Sequence, residues 1–268
     1  MPLIDTHCHL DEQYFPGGTE PVLVRARAAG VGAFMVIGVG ETLLQARAAV
    51  KLAESDSSRI AAAIGVHPHD ASSASPETYE EIASLGAHEA VAAVGEIGLD
   101  YHYEHSPRDV QREVFSRLVR LARELKKPIV VHTREAGDDT LAILDGEGAS
   151  AVGGIIHCFS EDEKFAQRAL DLGFDLSFSG IVTFKNARAV AEVAASAPLD
   201  RIHIETDSPY LAPVPLRGKP CEPAYIVHTA KRVAELRKIT VDDLSAALWK
   251  NAERRLRRSF VTMQALPE

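Results

Sequence analysis

The stretch that determines the fold is Leu3-Ile-Asp-Thr-His-Cys-His9, a short apolar run that ends in two histidines. Apolar runs of similar length recur along the chain. Eight such runs occur, and a glycine, a histidine or an acidic residue stands at or near the end of each. Every run has the length of a β-strand and is too short for a typical helix. The runs are Leu3–Cys8, Ala33–Gly38, Ile60–Val66, Ala90–Ile97, Pro128–His132, Val152–His157, Gly173–Ser179 and Ile202–Thr206.

Amphipathic stretches of helical length separate these runs. Strands that alternate with helices pair in parallel, and eight such units in 268 residues match a closed barrel better than an open sheet. After the eighth run, Thr240 with Asp243 three residues later predicts the start of a further helix that ends near Arg258. The sequence therefore predicts an α/β protein, a (β/α)8 TIM-type barrel with an additional C-terminal helix. We expect one barrel domain at 1–260 and a tail at 261–268.

The composition favours one large globular domain, with 46% hydrophobic and 25% charged residues. The longest strongly apolar stretch, Val31–Val39, is far shorter than a membrane-spanning helix, so we expect a soluble chain without a membrane partner. Its three cysteines, Cys8, Cys158 and Cys221, form no CxxC pair, which fits the reducing cytoplasm. No exposed apolar helix stripe stands out, and a monomer is expected.

The formal net charge of −9 excludes a protein that coats nucleic acid non-specifically. It leaves open a small nucleic-acid active site, because bound metal ions can supply positive charge locally.

Six residues that commonly bind metal ions stand at the C-terminal ends of the predicted strands or just after them. Active sites of parallel barrels lie at this face. Side chains two residues apart on a strand share a face, so His7 and His9 can both point into the mouth. One strand-end histidine is usually only a hydrogen-bonded imidazole, but this many at matching positions indicates a metal cluster. The six residues are His7, His9, Glu96, His132, His157 and Asp207.

Six motifs in order give the sequence a resemblance to the TatD family of metal-dependent hydrolases, from about Leu3 to Leu256. They are Asp5-Thr-His-Cys-His-Leu10, Gly65-Val-His-Pro-His69, Gly95-Glu-Ile-Gly-Leu-Asp100, Val131-His-Thr-Arg134, His157-Cys-Phe-Ser160 and Glu205-Thr-Asp-Ser-Pro-Tyr210. The resemblance implies a barrel of the amidohydrolase superfamily, with deoxyribonuclease activity known among its members. The chain departs from the family pattern at Cys221, Leu248, Trp249 and Arg257, which concerns loop and tail packing.

The resemblance also implies two divalent metal ions as cofactors. It implies that His7, His9 and Asp207 hold one ion, that His132 and His157 hold the other, and that Glu96 bridges them. The fourth run contains no lysine, so a carboxylated lysine cannot form the bridge here. Asp207 is the candidate general base for the attacking water, with Glu96 as the second catalytic residue. Imidazole and carboxylate ligands suit Zn, Mn, Co or Fe, and Mg remains open.

Substrate contacts are predicted at His67 and Arg134. His67 follows the third strand and is either a substrate contact or a loop histidine held by Pro68; the resemblance favours substrate. Arg134 shares its strand face with His132, so it either pairs with a phosphate or forms a salt bridge at the rim. Asp5 is expected to orient a ligand imidazole. The run Arg254, Arg255, Arg257 and Arg258 is expected to be a solvated face far from the mouth.

Three functions are compatible with these residues. The first is a binuclear-metal nuclease that cleaves phosphodiester bonds of DNA or another nucleic acid, exonucleolytic and acting on single-stranded or damaged DNA. The second is a hydrolase of carboxylic esters, lactones or amides, such as an aminoacyl-tRNA deacylase, because the same centre activates water for carbonyl groups. The third is a non-catalytic barrel that serves as a partner-binding scaffold, which ranks last because all six ligand positions are intact.

Overall fold

Eight parallel strands form a barrel in the computed structural model, which describes residues 1–261. The strands pair in sequence order from β1 to β8. A parallel bridge between Cys8 and Ser208 joins the last segment to the first, and the His9 N–H donates to the Ser208 carbonyl at 2.8 Å. The strands are β1 Leu3–Cys8, β2 Val31–Gly38, β3 Ile60–Ile64, β4 Val91–Asp100, β5 Ile129–Arg134, β6 Gly154–Ile156, β7 Phe174–Phe178 and β8 Ile202–Ile204.

Helices connect successive strands, as right-handed β–α–β units require. They are α1 Thr19–Ala28, α2 Leu44–Ser55, α3 Pro76–Gly86, α4 Arg108–Glu124, α5 Gly137–Gly146, α6 Glu163–Asp171, α7 Arg188–Ser196, α8 Ile226–Arg237 and α9 Val241–Leu256. Short 3₁₀ turns supplement these elements. The prediction of a (β/α)8 barrel with an additional C-terminal helix is confirmed.

The additional helix α9 covers the end of the barrel where the strands begin. Thr240 caps it as predicted, since its hydroxyl accepts a hydrogen bond from the Asp243 N–H at 3.0 Å. Ser245 donates to the carbonyl of Pro2, just before β1, and Asn251 donates to that of Ile202 at the start of β8. Because α9 closes this end, the opposite end remains free for a site.

The tail predicted at 261–268 lies outside the described residues, except for Val261. None of the helices within residues 1–261 is both long enough and apolar enough to cross a membrane.

A buried ion cluster lies at the same end of the barrel as α9. Asp175, the second residue of β7, is fully buried and accepts hydrogen bonds from Arg201, Arg254 and Arg255 at 2.6–2.9 Å. His203 lies 3.1 Å from the same carboxylate. Burial alone would raise the pKa of Asp175, but His203 and Arg255 hold it well below its usual value.

The expectation that the last arginines form a solvated face holds only in part, because Arg254 and Arg257 are exposed but all four guanidinium groups have partners within the fold. Arg254 and Arg255 bind Asp175, while Arg257 and Arg258 donate to backbone carbonyls, among them those of Lys126 and Ser57. They do lie far from the mouth. The buried partner of Arg254 and Arg255, Asp175, lies about 80 positions away in sequence, so the charge pattern of the helix alone could not predict it.

We predict that Asp175→Asn destabilises the protein by about 3–5 kcal/mol, because it leaves several guanidinium groups without their buried counter-charge. The loss in free energy of unfolding is measured by urea titration at neutral pH. Since the folded-state pKa of Asp175 is depressed, its stabilisation is complete above the unfolded-state value of about 3.9 and declines as the pH falls below it.

Asp200→Asn is the matched control, because Asp200 is exposed and only its backbone carbonyl contacts Arg254. We expect a change within about 0.5 kcal/mol there. Equal stabilities of the two variants would contradict the assigned role of the cluster.

Candidate metal centre

An irregularity in β4 presents Glu96 to the mouth of the barrel. The pairing register with β5 shifts between Val94 and Ile97, and Gly95 and Gly98 adopt φ values of 156° and 151°. Strand β4 then continues to Asp100, so Glu96 lies within the strand and does not close it, contrary to the prediction. The two glycines allow the strand to continue past the shift, because they can adopt backbone angles that other residues rarely adopt.

Gly98 is also required by the close approach of the neighbouring strand. It pairs with His132 of β5, and a Cβ atom at this position would lie 1.9 Å from the His132 carbonyl oxygen. The missing side chain therefore lets β5 bring His132 next to Glu96.

The Glu96 carboxylate, only 3% exposed, lies at the centre of the histidines. Its Oε1 atom is 2.7 Å from His157 Nε2 and 2.8 Å from His132 Nδ1. His67 Nε2 is 3.5 Å from the same oxygen. One carboxylate oxygen thus faces three imidazoles, which come from β5 and from the segments that follow β3 and β6.

The other oxygen of Glu96 faces a second group. Oε2 is 3.3 Å from His7 Nε2 and 3.9 Å from His9 Nε2. Asp207 Oδ1 lies 3.6 Å from each of these nitrogens, and the Asp207 N–H donates to the His7 carbonyl at 2.9 Å. All six predicted ligand positions therefore converge, and the two oxygens of Glu96 separate them into two sets of donor atoms.

The donor chemistry fits divalent cations. Three groups have ligand atoms that all lie within 4.8 Å of one another. They are His7, His9 and Asp207; His67, Glu96 and His132; and His7, His157 and Glu205. Imidazole nitrogens and carboxylate oxygens are ordinary ligands of transition-metal ions. A buried carboxylate, Glu96, and a partly buried one, Asp207, also need positive charge nearby.

The pKa values of these groups are shifted in both directions. Burial would lower the pKa of His157, but Glu96 and Glu205 raise it well above its usual value, and nearby acids also raise the pKa of His9 and of His132. Burial would raise the pKa of Glu96, but His157, His67 and His7 hold it well below its usual value. Burial and the neighbouring His157 lower the pKa of His7. An ionised carboxylate and a neutral imidazole are the forms that bind metal ions.

Two acids support the histidines and were not singled out from the sequence. Glu205 Oε1 lies 3.1 Å from His157 Nδ1 and accepts the Cys158 N–H at 2.6 Å. Asp100 Oδ2 lies 3.2 Å from His132 Nε2. Both acids stand in the quoted motifs, and the spacing of Glu205 two residues before Asp207 was the available signal.

Asp5 does not take the role expected for it. It accepts hydrogen bonds from the hydroxyl and N–H of Thr206 at 2.6 and 3.0 Å, and from the His7 N–H at 3.3 Å. Burial raises the pKa of Asp5 to about 8. Because Thr206 follows β8, Asp5 joins the two edges of the barrel and acts on His7 through the backbone.

The two predicted substrate residues differ in position. His67 lies within the cluster, whereas Arg134 is exposed and places its guanidinium 4.7 Å from the centre of the Tyr103 ring. Arg134 is therefore a residue of the rim and lies outside both donor sets.

Comparisons with known proteins agree with this geometry. Residues 4–257 match the family model described as TatD related DNase. An uncharacterized metal-dependent hydrolase of Bacillus subtilis, YabD, is 44% identical over 95% of this chain and 99% of its own length. The 3'-5' ssDNA/RNA exonuclease TatD of Citrobacter rodentium is 34% identical over 94% of this chain and 97% of its own.

Among solved structures, the Escherichia coli TatD homologue YJJV superposes with a TM-score of 0.87. It is 30% identical, and the match covers 94% of this chain and 97% of that one.

We predict that Glu205→Gln lowers affinity for a divalent ion about ten-fold to a hundred-fold, because His157 loses the negative partner that orients its ring. Calorimetric titration with Mn²⁺ measures the change. Glu161→Gln is the control, since it removes an equal charge at a half-buried acid of the loop after β6. Identical titrations of the two variants would contradict a supporting role for Glu205.

Proposed function

The chain belongs to the TatD family of metal-dependent hydrolases, and we propose that it cleaves phosphodiester bonds of nucleic acid at the mouth of its barrel. The observation that carries this proposal is the division of donor atoms between the two oxygens of Glu96. Such a division suits two divalent ions, which together favour transfer of a phosphoryl group to water.

In this proposal His7, His9 and Asp207 would hold one ion, His132 and His157 would hold the other, and Glu96 would contribute an oxygen to each. Zn, Mn, Co, Fe and Mg are all compatible with these ligands. When bound, two such ions lower the pKa of a water molecule and offset the charge of the attacked phosphate. The remaining steps are carried out by side chains.

Asp207 accepts the proton of the attacking water. Burial would raise the pKa of Asp207, but the neighbouring His9 and the charge of His157 lower it, so the carboxylate is ionised at neutral pH. Its position beside His7 and His9 places a proton acceptor at the edge of one donor set.

His67 holds the substrate rather than a metal ion. Its Nδ1 atom accepts the His69 N–H at 3.2 Å, which leaves the ring proton on Nε2, the atom that faces the centre. Burial lowers the pKa of His67 to about 4, so the ring is neutral at neutral pH. A neutral Nε2–H can donate a hydrogen bond to a phosphate oxygen, but it has no lone pair for a metal.

The substrate class follows from charge and from the relatives. With a net charge of −9, the chain has little general attraction for a polyanion. The Citrobacter relative carries the name of a 3'-5' exonuclease for ssDNA and RNA. We therefore propose exonucleolytic cleavage of single-stranded DNA, or of damaged DNA with a frayed end.

A substrate panel tests the proposal. Metal-loaded protein is assayed on single-stranded DNA, RNA, aminoacyl-tRNA and model lactones, and DNA cleavage is the expected result. Lactone or aminoacyl-ester turnover without phosphodiester cleavage would move the chain to the carboxylic-ester class. A fully loaded, folded protein without any activity would favour a binding scaffold.

We predict that His67→Ala and Arg134→Ala each reduce kcat/KM on DNA by roughly ten-fold to a hundred-fold, because each loses a hydrogen bond to a charged phosphate oxygen. Metal content, measured by elemental analysis, should stay close to that of the unmodified protein. Any lactone turnover should change far less, since a lactone has no anionic oxygen.

Arg120→Ala serves as the control, because Arg120 is an exposed arginine that pairs with Glu147 on the outside of the barrel. The phosphate assignment fails if the mouth variants lose as little DNA cleavage as this control, or if they lose DNA and lactone cleavage equally.

A further inference from the structure

Two tyrosines stand out by their exposure. Among the aromatic side chains of residues 1–261, Tyr103 and Tyr210 are the two that are largely exposed, at 52% and 48%. The other phenylalanine, tyrosine and tryptophan side chains in this range are buried or half-buried. Exposed aromatic rings are costly in water and commonly mark a binding surface.

Tyr210 lies on the side of the centre formed by the residues of β1. Its ring centre is 6.1 Å from that of His9 in an edge-to-face arrangement, and its N–H donates to the Asp207 carbonyl at 2.8 Å. Its hydroxyl donates to the Tyr14 hydroxyl at 2.9 Å, and the two rings also meet edge to face. Edge contacts fix the ring while leaving much of its flat surface open.

Tyr103 lies on the other side of the centre. Its N–H donates to Asp100 Oδ1 at 2.9 Å, and the other oxygen of Asp100 contacts His132. The ring centre is 5.5 Å from that of His69, edge to face, and 5.7 Å from that of His105, whose ring is nearly parallel to it. Arg134 lies over the ring, yet more than half of the side chain remains exposed.

The centre is therefore flanked by one exposed ring next to each donor set. The backbone of each tyrosine is tied to its donor set. The Tyr210 N–H donates directly to Asp207, and the Tyr103 N–H donates to Asp100, which in turn contacts His132. A phosphate at the centre would then have an aromatic surface on each side.

Nucleobases are the natural occupants of these surfaces. Each base has a flat π-face, and stacking on aromatic side chains holds single strands without sequence preference. In an acidic protein this contribution compensates for a scarcity of cationic phosphate contacts. Bases inside a duplex already stack on both neighbours and expose no face to the protein.

We propose that Tyr103 and Tyr210 stack on the two nucleobases that flank the attacked phosphodiester. This inference rests on the proposed nuclease function and sharpens it. The substrate is an unpaired segment of at least two nucleosides, and both bases contribute to its recognition. Each stack should contribute roughly five-fold to a hundred-fold in kcat/KM.

The test pairs side-chain and base deletions. Tyr103→Leu and Tyr210→Leu are assayed on a short oligothymidylate, on the same oligomer with one flanking base replaced by an abasic residue, and on methyl 4-nitrophenyl phosphate. Tyr103→Phe and Tyr210→Phe retain the ring and should act like the unmodified protein. Tyr79→Leu is the control, because Tyr79 packs under Arg117 on the outer helices.

We expect each Leu variant to lose activity on the oligomer and little on methyl 4-nitrophenyl phosphate. Removing the base that a tyrosine contacts should cost the unmodified protein as much as the Leu substitution, and the two losses should not add. Additive losses, or losses equal to those of Tyr79→Leu, would overturn the proposal. So would equal cleavage of an unpaired end and a fully paired end.

A binding measurement separates this inference from the nuclease function. An oligomer with 2-aminopurine at a flanking position should lose fluorescence on binding the metal-loaded protein, and less so with the Leu variants. If this quenching occurs without cleavage of any phosphodiester, the nuclease function fails and the stacking surfaces stand. If cleavage occurs but neither quenching nor rate depends on the tyrosines, the stacking proposal alone fails.

Discussion

The structure depends on one constraint: an ionised carboxylate, Glu96, is buried at the centre of the barrel mouth and faces imidazoles on both of its oxygens. Burying a charge in a protein is costly unless partners surround it. Several features hold the imidazoles around Glu96. The register of β4 shifts next to it, and Gly98 lets the backbone of His132 approach closely. Acidic residues contact the far nitrogens of His132 and His157. The proposed hydrolysis depends on the same carboxylate, because each of its two oxygens could bind one cation.

The two ends of the barrel have different roles. At the end where the strands begin, α9 and the ion cluster around Asp175 bind strands and backbone carbonyls together. At the other end, strand ends and the loops after them carry the histidines, and loops carry the exposed tyrosines. Barrel enzymes commonly divide stability and activity between their ends in this way. Hence substitutions at Asp175 and at the mouth should affect different properties of the protein.

Much of the fold followed from the sequence, since apolar runs of strand length alternate with helical stretches and few architectures accommodate eight such units. The convergence of the six proposed ligands also followed, because the ends of parallel strands meet at one face. The roles of Asp100, Glu205 and Arg255 did not follow, since their partners lie 32, 48 and 80 positions away. The extension of β4 past Glu96 could not be predicted either. It depends on the close approach of the β4 and β5 backbones at Gly98, and the alternation of apolar and polar residues in a sequence does not indicate such a contact.

A crystal structure of the protein grown with Mn²⁺, with anomalous scattering used to locate the ions, would test directly whether Glu96 lies between two metal sites. Two separate peaks are expected, one beside each oxygen of Glu96. One peak should contact His7, His9 and Asp207, and the other should contact His132 and His157. A single peak, or peaks that avoid Glu96 altogether, would contradict the account.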